Sequence, residues 1–137
     1  MAIIKELLCV EDNGTLSFGN YESDTKQKLS DFEFEGDIYK VKTFKEITKL
    51  EKNGLFIYES VPGTCVHQFK STYNEVDFYV EAPEDAQITL ELEAEKEYEV
   101  QINRNKIGNM RTNLGGKLSL SVELEQEELV SIHITKL

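Results

Sequence analysis

The chain has no tryptophan, two cysteines, two prolines and two histidines among 137 residues. Without tryptophan, the most effective aromatic platform for stacking sugars is missing. Two cysteines cannot build a disulfide scaffold, and a chain of this length buries enough surface to need neither a disulfide nor a metal staple. Few prolines and eight glycines leave no linker or low-complexity tract. Cations are also scarce, at 15 Lys and Arg against 26 Asp and Glu, for a formal net charge of -11. Such a surface repels phosphate backbones and anionic lipids, so neither nucleic acid nor a membrane is expected as a partner. The deficit is uneven: residues 1–70 carry nine cations against twelve acids, and residues 71–137 carry six against fourteen. No apolar run is long enough to span a bilayer, and Lys5 and Glu6 interrupt the apolar N-terminus where a signal peptide would need continuity. With two thiols and no secretory signal, the expected compartment is the cytoplasm, and Asn13-Gly14-Thr15 reads as a turn rather than a glycosylation site. Whether Cys9 and Cys65 pair is left open by the sequence.

What the chain has in abundance is period-two alternation. Ile88, Leu90 and Leu92, then Tyr98, Val100 and Ile102, then Leu118, Leu120 and Val122 alternate with polar residues, as do Val76, Phe78 and Val80. Successive strand side chains point to opposite faces, so each run has one apolar and one wet face. The fold expected is all-β, an antiparallel two-sheet sandwich of ten or eleven strands with minimal helix. Residues 3–10 and 15–21 form a hairpin about Asn13-Gly14, and Asn53-Gly54 marks a second hairpin. Residues 22–31 are polar and unpatterned, which predicts a surface loop. Leu55–Ser60 is apolar on both parities, as in a strand covered on both faces, and Pro62-Gly63 fits the centre of a type II turn. The chain reads as one domain, 1–137, with a sub-boundary near 81–84 that would separate units 1–80 and 84–137. Asn13–Phe18 echoes Gly115–Leu120, which reads as shared turn chemistry rather than as a repeat.

Two resemblances rest on particular residues. The series Tyr98-x-Val100-x-Ile102-Asn103, Gly108-x-Met110-x-Thr112-Asn113 and Gly116-Lys117-Leu118-Ser119-Leu120-Ser121-Val122 is similar to a small β-sandwich module at the ends of carbohydrate-active proteins. Leu16–Tyr21, Tyr39–Glu51 and Tyr58–Thr64 resemble small proteins of anaerobic Firmicutes that often carry the label endosialidase. That label implies an activity which the residues refuse. Sialidases hold the substrate carboxylate with three arginines, and only Arg104 and Arg111 exist here. The Ser-x-Asp-x-Gly-x-x-Trp box is absent, and the chain is too short for a propeller.

No catalytic, cofactor-binding or metal-binding set is expected. Cys65 and His67 share a strand face, but at about 6.5 Å between backbones a direct contact is strained, so a core thiol beside a rim imidazole is the plainer reading. Zinc would need Cys9, Cys65, His67 and His133 to converge without any usual spacing. Glu91, Glu93, Glu97 and Glu99 fall on the wet parity of neighbouring strands and read as a solvated face. The basic cluster Arg104, Lys106, Arg111 and Lys117 on one hairpin, with Phe56 and Tyr58 on the doubly apolar strand, is the candidate interaction surface. The function expected is a non-catalytic, self-associating structural or interaction module. The alternative is a carbohydrate-binding or small-ligand module that uses Tyr21, Tyr73 or Tyr79.

Overall fold

The structure, a computed structural model, describes residues 6–124 and 129–137. These form two antiparallel sheets, with 63% of residues in strands and no helix. The strands are β1 (Leu8–Val10), β2 (Leu16–Phe18), β3 (Gln27–Phe34), β4 (Asp37–Phe44), β5 (Ile47–Lys52), β6 (Leu55–Val61) and β7 (Cys65–Ser71). They continue as β8 (Glu75–Glu81), β9 (Ala86–Glu91), β10 (Glu97–Ile102), β11 (Asn105–Arg111), β12 (Lys117–Val122) and β13 (Val130–Lys136). One sheet runs β1-β2-β7-β8-β13-β10-β11 and the other β12-β9-β6-β5-β4-β3. Thirteen strands thus stand among the described residues, more than the alternation alone distinguishes. The expected strand over residues 3–10 is described only from Glu6 onward, and residues 3–5 lie outside the described residues.

The alternating residues fill the space between the sheets. Val76, Phe78, Val80, Ile88, Leu90, Val100, Leu118, Leu120, Ile132 and Ile134 are all buried in one cluster. Phe18, Tyr58, Phe69 and Phe78 meet there edge-on or tilted, with ring centroids 5.2–6.2 Å apart. Ladders cross Pro83 in both sheets, because β6 pairs with β9 and β8 with β13.

Four local expectations need correction. Residues 27–31 are the first part of β3, not loop. An edge strand is wet on much of its surface and therefore lacks the alternation that reveals inner strands. Asn13-Gly14 is not a two-residue turn, since only Gly14 has positive φ (79°) and Glu11 and Thr15 close the loop through Glu11 N–H to Thr15 O. By contrast, Asn53 and Gly54 both have positive φ, as the primed turn expected there requires. Pro62-Gly63 is not a type II turn: the Val61–Pro62 peptide is cis, and Gly63 lacks the positive φ that turn demands. Gly63 is needed for space, because a Cβ there would fall onto the Phe44 carbonyl oxygen.

The fourth correction concerns β6. Leu50 pairs with Tyr58 and Glu51 with Phe56, so Ile57 is an extra residue in a β-bulge. The bulge resets the phase, and Tyr58 then points into the core at 0% exposure while Phe56 points out. The strand is apolar on both parities for this reason, and on its outer side Phe56 meets lysine ammonium groups. Lys49 and Lys117 stand 5.5 and 4.6 Å from the Phe56 ring centre.

Candidate functional site

The expected basic hairpin is divided by the topology. Arg104 sits in the two-residue turn between β10 and β11, and Lys106 and Arg111 follow on β11 at the edge of the seven-stranded sheet. Lys117 belongs to β12, in the other sheet. Lys106 pairs with Glu99 at 3.4 Å, and Arg111 stands opposite Glu97. Tyr58 drops out of the candidate surface, since its ring is wholly buried and its hydroxyl shares a 2.8 Å hydrogen bond with Thr64. Phe56 remains outside, under its two lysines.

The four glutamates do not form one face either. Glu91 lies on β9 and Glu97 and Glu99 on β10, in different sheets. Each acid faces a cation or a polar partner: Glu91 is registered with Lys117 and Glu97 with Arg111, Glu93 is bonded to Lys136, and Glu99 accepts from Gln101 and Lys106. The hydrogen bond from Lys136 holds the Glu93 carboxyl below its usual range. Among the described residues no cluster of His, Cys, Asp and Glu is arranged to hold a metal ion.

Cys65 and His67 do touch, against expectation. The imidazole reaches back along β7 to place Nε2 3.5 Å from Sγ and 3.2 Å from Glu81 Oε2 on the neighbouring strand. Tyr21 donates its hydroxyl to Glu81 Oε1 at 3.2 Å. Burial and the Glu81 carboxylate push the Tyr21 phenol up to about 12. The sequence did not bring Glu81 to this pair, because only the β7–β8 register places it opposite Cys65. The geometry is unlike a thiol relay. There a base takes the proton on one ring nitrogen while a carboxylate orients it through the other; here both partners meet Nε2. No disulfide joins Cys9 and Cys65.

Of the tyrosines named for sugar binding, Tyr73 is set apart from the other two. Tyr21 is tied to Glu81, Tyr79 lies on β8 beside His67, and Tyr73 stands 86% exposed in the turn at the far end of that hairpin. Tyr79 lies four residues along β8 beyond its start at Glu75, about 13 Å from the turn that holds Tyr73.

A different region gathers more. β3 is an eight-residue edge strand whose far side has no neighbour among the described residues. Leu29, Phe32 and Phe34 pack against the core and remain half-buried. A cleft of about 400 Å³ opens beside them between the sheets, lined by Leu16, Phe34, Tyr39, Ile57 and Phe69 with Asp37 at its rim. Asp37 is held below the usual carboxylate range, first by the Asn53 side-chain amide and then by Lys52 at 3.5 Å.

The charges of β3 are segregated along its length. Lys26 and Lys28 lie at its start, and Asp31, Glu33 and Glu35 at its end. Lys28 stands opposite Lys42, which stands opposite Lys49, and Lys40 is two residues from Lys42. The crowding, with Lys26 the largest influence, pulls the Lys42 ammonium below its usual value. Like charges placed directly across strands oppose the fold. In a chain of net charge -11, this lysine corner is therefore a departure that composition does not reveal. It becomes visible only once strand register is known.

Comparison of the chain with protein-family models, with curated proteins and with solved structures finds no match to any of them.

Proposed function

We propose that this domain is a self-associating interaction module with no chemistry of its own. The observation that carries the reading is the β3 edge: an open strand of eight residues with half-buried Leu29, Phe32 and Phe34 along its inner side. An open edge offers unpaired backbone groups, and incompletely covered apolar residues gain by meeting a second surface. The shared Nε2 contact of His67 supports the non-catalytic part, and the net charge argues against nucleic acid and anionic lipid as partners. No disulfide links Cys9 to Cys65, which suits a reducing cytoplasm, and no helix among the described residues is long and apolar enough to cross a membrane. Light scattering on a sizing column, at low and high salt and over a wide range of protein concentration, tests the reading. A discrete oligomer is expected; a monomer at every concentration overturns it.

The cleft favours one second reading. A cleft of this volume that sets the Phe34, Tyr39 and Phe69 rings beside Asn13, Glu35, Asp37, Lys52 and Lys70 is of the kind that takes a small polar ligand such as a sugar. Glycan-array binding that is lost in Phe34→Ala would favour it over self-association.

A further inference from the structure

We infer that the partner of the β3 edge is the β3 edge of a second copy, docked antiparallel about a two-fold axis. This rests on the self-association reading and specifies its surface, register and symmetry.

The argument begins with the bulge. Leu29 pairs with Val41 and Phe32 with Tyr39, so β3 carries one residue more than β4 between these pairs, and Asp31 has a φ of 57°. In a regular strand, residues of opposite parity face opposite ways. The extra residue changes this for β3. Lys28, opposite the outward Lys42, and Glu33, opposite the exposed Ile38, both lie on the outer face, although one number is even and the other odd. Leu29 and Phe32 both lie inward, opposite the buried Val41 and Tyr39. Two antiparallel copies can then match Lys28 with the partner's Glu33 and Leu29 with the partner's Phe32, every pair on a common face. Lys26 falls near the partner's Glu35, and Asp31 falls opposite the partner's Ser30 rather than opposite itself.

Charge decides the direction. A parallel docking would set Lys28 against the partner's Lys28 and Glu33 against the partner's Glu33, which is unfavourable at each step. The antiparallel docking sets the basic half of each edge against the acidic half of the other. It also brings anions to a lysine corner that has too few of its own. Leu29, Phe32 and Phe34 of each copy gain cover from the other. Because the contact is isologous, each copy uses its β3 edge once and the assembly closes at two, joining two six-stranded sheets into one.

Two charge-altered chains provide the test: an acidic-edge variant, Lys26→Glu with Lys28→Glu, and a basic-edge variant, Glu33→Lys with Glu35→Lys. All four positions are exposed, so the fold should survive, and circular dichroism with a urea midpoint verifies it. Each variant alone should be monomeric where the wild type is a dimer. Mixed in equal amounts, they should form a one-to-one heterodimer by sizing and native mass spectrometry. If both variants remain dimeric alone, self-association stands and this register is wrong. If both are monomeric and the mixture is too, the register is equally wrong. If the wild type is itself a monomer at all concentrations, the self-association reading fails, and this inference with it.

Discussion

Phe56 and Tyr58 stand two residues apart on one strand and face opposite sides of the sheet, because Ile57 between them is an extra residue. Their substitutions should therefore differ sharply. Tyr58→Ala empties a fully buried ring site and should cost about 3–5 kcal/mol. Tyr58→Phe removes the hydroxyl shared with Thr64 and should cost about 1–2 kcal/mol. Phe56→Ala, losing a half-exposed ring under two lysines, should cost about 1 kcal/mol or less. Urea unfolding of the three variants measures the order, and equal losses at Phe56 and Tyr58 would contradict the bulge.

Gly63 and Gly54 are required for different reasons, and alanine separates them. At Gly54 a Cβ meets open space, and only the positive φ of 85° opposes it, a cost of about 1–2 kcal/mol. At Gly63 the Cβ would run into the Phe44 carbonyl oxygen, and backbone on both sides must move. Gly63→Ala should be the more damaging of the two by thermal melting, even though its φ is ordinary.

The alkaline limb of the stability curve should depend on Tyr21. Its phenol is held protonated in the fold, pushed up to about 12 from the ordinary tyrosine value of about 10. The native state thus binds this proton more tightly than the unfolded chain. The associated stability is fully present below pH 10 and is lost as pH rises toward 12. Tyr21→Phe should flatten the decline across that interval and lower the neutral plateau, because the Glu81 carboxylate loses its phenol partner. Urea midpoints measured from pH 8 to 12, compared between the two proteins, would expose an unchanged decline if Tyr21 were not responsible.

The buried His67–Glu81 contact should behave as a unit. Replacing His67 with alanine leaves the Glu81 carboxylate, 4% exposed, with the Tyr21 hydroxyl and without its imidazole, at a cost of about 3–5 kcal/mol. Glu81→Gln keeps hydrogen-bonding capacity without the charge and should cost less. A double-mutant cycle reads the coupling directly, and additive losses would show that the two side chains act independently.

The fold class was legible because inner strands obey a strict physical rule: Val76, Phe78 and Val80, or Leu118, Leu120 and Val122, must alternate if one face is buried. The elements that escaped are those where the rule is suspended. Gln27–Asp31 lie on a wet edge, so nothing in their composition separates strand from loop. Bulges leave no signature in composition, so the face assignments of Phe56, Tyr58 and Glu33 could be read only from register. The same holds for the sites. Lys28, Lys42 and Lys49 are fourteen and seven residues apart, and Cys65 and Glu81 sixteen, and in each case pairing alone makes them neighbours. The hairpin Asn103–Lys117 misled for the opposite reason. Closeness in sequence suggested one cluster, and the chain crosses between sheets before reaching Lys117.

The bulge at Ile57 also bears on how this sequence tolerates shortening. In most strands, loss of one residue turns every side chain beyond it to the wrong face. Here Tyr58 points inward and Phe56 outward already, and the pairing of β6 with β9 begins only at Tyr58. Removing Ile57 would leave a regular, correctly phased ladder on both flanks. Removing Glu59 would turn over whatever lies to one side of it. Ile57 is thus a position, in the middle of a core strand, where a deletion preserves which side chains face the inside and the outside of the protein.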